Sequence, residues 1–392
     1  MTVEAEEFSS ARRRLILRDA ATFLSLIAVT AALFTITLFL FRSFEAHRGD
    51  LARRWSDRGR SALTAGQPQE AIADLRTALS YAPDERPYEL LLAQALGEAG
   101  HVEESFNYFL GLWETTPGDG WINLNLARLA AERHDTQAAI NYYQASIYGT
   151  WEGDAVLRRR EVRLELARYM IAQHDAAGAR SELLIAAGNN PNDVGLRVVI
   201  AQMLEQVDAP NDALNYYKKI LAQEPGNETA LVSAGRLEYD SGNFEEANRL
   251  LKEAVKARKD TGQGEDVSQA ETMRENSERI LMLTPRQGLT PIEQAERIVK
   301  AREIAKRRFD SCNQQTASAS GLATPLKDLG ARWMSTEGTV GRTALAQDAE
   351  QREDTMNLIF DTEVQTNTIC GAPSGDDALL LLLAKHPNAM EQ

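Results

Sequence analysis

From Ala20 to Phe41 the chain reads AATFLSLIAVTAALFTITLFLF, 22 residues without a charge. At about 1.5 Å of rise per residue, that run is long enough to cross a hydrocarbon core of about 30 Å. The pattern predicts a transmembrane helix over residues 19–42, preceded by a tail over 1–18. A cleaved signal peptide is the competing reading. Its apolar core is shorter, about 7–15 residues, and ends in small residues; here FRSFEAH follows and offers no A-x-A site. Ala21, Ser25, Ala28 and Ala32 share one side of this helix. They are a candidate dimerising face, although a lipid-facing surface is the simpler reading.

Beyond residue 50 the apolar positions recur with a period of 34. Gly66, Ala71, Leu75, Ala78 and Pro83 are matched by Gly100, Ser105, Phe109, Leu112 and Pro117, then by His134, Ala139, Tyr143, Ser146 and Trp151. The register slips by six residues and resumes at His174, Ala179, Leu183, Ala186 and Pro191. Asp208, Ala213, Tyr217, Ile220 and Pro225 follow, and Gly242, Ala247, Leu251 and Ala254 close the series. A second row of small residues precedes each turn: Gly59, Ala93, Ala127, Ala167, Ala201 and Gly235. Small residues let two helices approach closely, and the bulky position fills the gap to the next pair. Proline at the end forces a turn. One such hairpin cannot bury its own apolar face, so the hairpins must stack.

These registered copies resemble the tetratricopeptide repeat (TPR) family over about 52–260, roughly half of the chain. Two departures are visible: the large aromatic near the start of the first helix occurs only as Trp55, and the third and sixth copies lack the proline. The resemblance implies an all-α fold: a single N-terminal transmembrane helix, a right-handed superhelix of about six helical hairpins, and a C-terminal helical region. It also implies a partner groove lined by the first helix of each hairpin. At one inward position per repeat stand Arg60, Gln94, Arg128, Arg168, Gln202 and Arg236. One turn earlier stand Ser56, Leu90, Leu124, Leu164, Val198 and Val232. The expected groove is an apolar floor, with Leu124 and Leu164 in it, beside a basic row suited to an acidic or C-terminal carboxylate segment. The competing reading is a solvated face, with Glu132, Glu161 and Glu205 pairing the arginines and the apolar row used for packing. The six extra residues near 152–159, in TWEGDAVLRRR, predict a lengthened helix or an added surface loop.

After a polar stretch at 259–266, residues 266–312 read as capping helices. SQAETMRENSERILMLTP is one. The next begins at a Thr290/Glu293 capping box with Pro291 at its first position, and Ile292, Ala295, Ile298, Val299, Ile304 or Ala305, and Phe309 form its apolar stripe. Residues 313–392 read as a further helical segment, entered through a TASASG linker at 316–321. TALAQDAEQREDTMNLIFDTEV reads as one helix. Ser374 and Asp377 have capping-box spacing before five consecutive leucines, 379–383, which cover every side of a helix and must be buried. Cys312 and Cys370 are the only cysteines. They form no C-x-x-C pair, so a structural zinc is poorly supported; a disulfide between them is the expectation in an oxidising compartment, against two buried thiols.

The net charge of −14 and pI near 5.0 argue against a nucleic-acid binder. No nucleophile elbow, P-loop, dinucleotide fingerprint or metal-ligand cluster is present. His101, His134 and His174 fall at successive turns, too far apart to share one ion. The expectation is therefore no enzyme, cofactor or metal, but a scaffold binding extended or helical protein segments. The arginine bias, 34 Arg against nine Lys, suggests a GC-rich bacterial genome. Four arginines within ten residues before the apolar run, against two after it, favour a cytoplasmic N-terminus. That places the repeats outside the cytoplasm, single-pass in a bacterial inner membrane, serving envelope assembly, secretion or biogenesis. The alternatives are a cytoplasm-facing regulatory adaptor and a structural homo-oligomer.

Overall fold

The computed structural model describes residues 3–188, 192–261, 267–317 and 324–390. Among the described residues there are eighteen α-helices and no strand. The chain divides into two compact units, Met1–Leu166 and Ala167–Gln392.

The first unit opens on α1 (Val3–Thr64), a single helix of 62 residues. The helix continues without a break through residues 42–52, between the apolar run and the first repeat. Only Gly49 interrupts a good helix-forming sequence there, and no proline does, so nothing stops the helix. The apolar run and the first helix of the first hairpin are thus one rod. Its segment from Leu17 onward is long and apolar enough to cross a membrane, and none of that apolar stretch is buried within the protein. The unit continues with α2 (Pro68–Tyr81), α3 (Arg86–Glu98), α4 (Val102–Thr115), α5 (Gly120–Glu132) and α6 (Thr136–Tyr148), and ends within α7 (Ala155–Ala172). Consecutive helices pair as hairpins, α1 with α2, α3 with α4 and α5 with α6.

The second unit holds the remainder of α7, α8 (Ala176–Gly188), α9 (Val194–Gln206), α10 (Pro210–Gln223), α11 (Glu228–Asp240) and α12 (Phe244–Thr261). Then follow α13 (Val267–Leu283), α14 (Pro291–Ala317), α15 (Thr324–Ser335), α16 (Arg342–Gln347), α17 (Ala349–Cys370) and α18 (Asp376–Lys385). Pro191, residues 262–266 and most of the TASASG linker lie outside the described residues.

The 34-residue rule has a plain physical origin. Gly59, Ala93, Ala127, Ala167, Ala201 and Gly235 are all buried, as are the small and bulky positions of the second helices from Ala71 to Ala254. A Cβ on Gly59 would lie 2.6 Å from Leu75, and one on Gly235 would lie 2.7 Å from Leu251, so these helices touch where a larger residue has no room. Where the second-helix position is serine rather than alanine, its hydroxyl is used. Ser105 Oγ donates to the Ala93 carbonyl at 2.7 Å, fully buried. Ser105→Ala is expected to destabilise by about 1 kcal/mol, measurable as a lowered denaturant midpoint with an unchanged slope.

Every hairpin turn closes in the same way. Gly66, Gly100, His134, His174, Asp208 and Gly242 take positive φ, between 54° and 84°. The following N–H bonds the carbonyl five residues back in each case, from Gln67 to Ala62 through to Asn243 to Glu238. This is the left-handed helix stop, and it gives His134 and His174 a structural place at the turn.

In the second unit, α13, α14, α15, α17 and α18 surround one apolar core that also takes in Phe244 and Tyr239 of the last hairpin. The Thr290/Glu293 capping box is present, with Glu293 Oε2 accepting from Thr290 N at 2.8 Å. Several expectations need correcting here. Ile292, in the first turn of α14, is exposed rather than part of its stripe. α14 does not end at Cys312 but runs to Ala317. The single helix expected over 343–364 is two, since the Asp348 side chain caps Gln351 N at 3.1 Å and starts α17 afresh. Ser374 and Asp377 make no capping box. Gly375 is the cap of α18 and makes no side-chain bond, while Asp377 is drawn toward Glu363 of α17. Leu379, Leu380 and Leu383 are buried, with Leu382 packed beside them. Cys312 and Cys370 are joined, with Cα atoms 5.8 Å apart and 58 residues between them in sequence.

Candidate functional site

The first-helix row has two readings, a basic groove for a partner and a solvated face whose arginines pair with nearby glutamates. Each of its members can now be placed. Arg60 on α1, Arg168 on α7 and Gln202 on α9 are exposed, and Gln94 on α3 is half-buried with its amide donating to Glu98 Oε1 at 2.8 Å. Arg128 on α5 is engaged: Nε and Nη2 both reach the Glu165 carboxylate at 2.7 Å. Tyr143 of α6 donates its hydroxyl to the same carboxylate at 2.9 Å. The fork to Glu165 holds the Arg128 guanidinium above its ordinary pKa, against the opposing pull of burial. In the second unit Arg236 of α11 pairs with Glu205 of α9 and with Asp240 at 3.3 Å. Tyr217 of α10 donates to Glu205 at 2.7 Å. Burial, foremost, and the adjacent carboxylate push the Tyr217 phenol well above its usual range.

The row is therefore not a free basic stripe. Two arginines are neutralised by acids from the neighbouring first helix, and a bidentate fork already satisfied has little left for an incoming carboxylate. Among the described residues, Arg60 and Arg168 are left without an ion pair. Beside Arg236 a cleft of about 320 Å³ carries Glu205, Asp208 and Asp240, three carboxylates against one guanidinium. The apolar row is taken up in packing. Leu124 and Leu164 are 8% and 9% exposed and belong to the core. Ser56 is buried too, and Leu90, Val198 and Val232 are half-buried. The close helix spacing that seats these residues draws them into the packing.

The insertion between the third and fourth hairpins is more than a surface loop. Thr150 N donates to Gly118 O at 2.8 Å, and Gly120 N donates to Thr150 O at 2.8 Å. This parallel bridge ties the insertion to the turn before α5. Trp151 Nε1 donates to Ser146 O at 2.9 Å, and Arg159 Nη2 to Gly149 O at 3.1 Å. A Cβ on Gly120 would sit 2.4 Å from the Trp151 indole, so the close approach requires glycine. Asp154 caps α7 by accepting from Leu157 N at 3.0 Å, and α7 has 18 residues against 13 for α5. Both a longer helix and an ordered loop result. The loop, with Leu90 and Trp121 from first helices, encloses a cleft of about 520 Å³. Glu165, Trp121 and the seat of Trp151 escaped the sequence reading; the unusual PGDGW and YGTWEG strings, rich in glycine and tryptophan, were the signal that pointed there.

Stacked helical hairpins with left-handed turns and a shared small-residue seam define a helical-repeat protein. Residues 56–120 and 206–268 each match a family model described as tetratricopeptide repeat. No curated protein matches the chain. Among solved structures it is similar to YrrB, "a TPR protein with an unusual peptide-binding site", at 15% identity and a TM-score of 0.38, over 51% of this chain and 97% of that one. It is similar to MamA of Desulfovibrio magneticus RS-1 at 13% identity and 0.37, over 45% and 97%. It is also similar to PilF of Pseudomonas aeruginosa at 16% and 0.38, over 58% and 99%.

Proposed function

We propose that this chain is a membrane-tethered TPR scaffold that presents its repeats to protein partners in a bacterial envelope assembly, secretion or biogenesis complex. The observation that carries the reading is α1. Its large apolar side chains from Phe23 to Phe44 are exposed over the same helix that begins the first hairpin. So much unpaired apolar surface is stable in hydrocarbon and costly in water. A helix without a break also holds the first hairpin at a fixed angle to the bilayer, which suits a scaffold that positions partners. The disulfide supports an extracytoplasmic C-terminal side, since such bonds persist in oxidising compartments. The reading assigns the chain no catalytic chemistry, cofactor or metal.

Topology and partner identity are tested together. An alkaline phosphatase fusion at the C-terminus is expected to be active, and a green fluorescent protein fusion exported by the same route to be dark. The opposite pair of signals would overturn the orientation and favour the cytoplasm-facing adaptor. Cross-linking in native membranes, followed by mass spectrometry, is expected to link first-helix residues around Arg60 and Arg168 to other proteins. Links only between copies of this chain would favour the homo-oligomer.

A further inference from the structure

The cleft built by the insertion has a distinct chemistry. Its apolar walls are Leu90 of α3, Trp121 of α5 and Trp151 of the inserted loop, and Asp119, Glu152 and Arg158 supply its charges. The two indoles are held in place. Trp151 is fixed by its bond to Ser146 O, and Trp121 packs against Phe109 with ring centroids 5.7 Å apart. Arg158 is already matched, with Nη1 3.2 Å from Glu161 Oε2. Asp119 spends one oxygen, Oδ1, on capping Trp121 N and Ile122 N, at 2.9 and 3.1 Å. Glu152 is exposed, and among the described residues it has no ion pair. The unmatched charge at the cleft is therefore negative, and it stands beside two indoles.

We propose that this cleft is a socket for one basic side chain, arginine or lysine, from a partner segment. Indole faces attract a cation through the ring quadrupole, and Glu152 and Asp119 supply the counter-charge. An apolar side chain would strip water from both carboxylates without replacing its bonds. An acidic one would face two carboxylates and a guanidinium already paired. A volume of about 520 Å³ lies within the usual range for small-ligand clefts. The proposal deepens the partner-binding reading by naming the side chain recognised, and it reverses the acidic partner expected from the arginine row.

The test uses the full chain in detergent micelles, labelled with 5-fluorotryptophan, with the Trp121 and Trp151 signals assigned by Trp→Phe variants. It is titrated with acetyl-arginine amide, acetyl-lysine amide, acetyl-leucine amide and acetyl-glutamate amide. The two cationic amides are expected to shift both signals saturably. Glu152→Gln, at an exposed position that leaves the fold intact, is expected to weaken that binding about threefold, and added salt to weaken it further. Equal or stronger shifts with the leucine or glutamate amide would overturn the proposal. So would an arginine titration unchanged by Glu152→Gln, or the absence of any saturable shift. If amides fail to bind while native membranes still yield cross-linked partners, the socket is wrong and the scaffold stands. If the socket binds but no protein partner is cross-linked, the scaffold reading fails instead.

Discussion

Glu363→Gln is expected to raise the stability of the second unit by about 3 kcal/mol at pH 7, a gain of roughly 5–10 °C in the thermal midpoint for a unit of this size. Glu363 on α17 is 0% exposed, and neither of its carboxylate oxygens has a hydrogen-bond partner. Asp377 of α18 faces it, with its own Oδ1 buried and unsatisfied. One proton shared between the two carboxyls, with Glu363 as donor, gives Asp377 Oδ1 and one Glu363 oxygen a partner. Burial, and after it the Asp377 charge, push the Glu363 carboxyl up to about 8. Burial pushes Asp377 up as well, with Asp376 adding to it. Arg308 and Arg307 of α14 pull the other way, and Arg279 of α13 is occupied with Asp376. The sign follows from linkage. The folded state keeps a proton that the unfolded state releases above about pH 4.3, so stability falls as pH rises from there to about 8 and levels off beyond. Glutamine keeps a donor for Asp377 and has nothing to ionise. Thermal midpoints of the full chain in detergent, taken from pH 5 to pH 9, give the comparison. The native protein should lose stability across that range relative to the variant. Parallel curves, or a less stable variant at pH 7, would show that Glu363 is not held protonated.

The repeats were legible because contact distance leaves little freedom. Where Gly59 meets Leu75 and Gly235 meets Leu251, a Cβ does not fit, so the small-residue seam is printed in the sequence at every turn of the array. The uninterrupted α1 was legible as well: between Phe41 and Trp55 there is one glycine and no proline, so nothing there stops a helix. What could not be read depends on tertiary neighbours. Ser374 and Asp377 have the spacing of a cap, but Asp377 turns to Glu363, a residue on another helix. The helix α15 went unseen although Leu326, Leu329 and Trp333 are all buried, because its stripe is short and needs α14 and α17 to complete the core.

The candidate face shows the same division more sharply. Position along the first helices is set by the 34-residue period, so Arg128 and Arg236 were found at once. The partner of Arg128 does not follow from that period. Glu165 sits in the helix lengthened by the insertion, so its place opposite Arg128 depends on six residues that break the period. Glu205 had been named as a pairing acid and is one, for Arg236. A lone residue row gives the sign of its own charge; only the facing helix gives the sign of the groove. The insertion cleft lay outside the period altogether, and two tryptophans with flanking glycines were its only trace.

Removing the Cys312–Cys370 bond is expected to cost the second unit about 4 kcal/mol, from the closure entropy of a loop of that length, with a separation of 58 residues in the chain. The loss should not be spread evenly. The bond ties the last residue of α17 to the C-terminal part of α14, and the leucine helix α18 begins six residues after Cys370. α18 has only ten residues, too few to be stable without its neighbours. Without the bond, the end of α17 and all of α18 should open before the rest of the core, exposing Leu379, Leu380 and Leu383 and the Glu363–Asp377 pair to water. Cys312→Ala with Cys370→Ala tests this by hydrogen exchange. Amides of α18 and the last turns of α17 should exchange through an opening several kcal/mol cheaper than in the native chain, while α9 to α11 keep their protection. A uniform loss across both regions would mean that the bond stabilises the whole unit rather than clamping one helix. No loss at all would mean that the core of Ile298, Ile359 and Trp333 holds α17 unaided. Mass spectrometry of non-reduced peptides from native membranes bears on the same bond from the cellular side: free thiols there would count against both the clamp and the extracytoplasmic placement of the repeats.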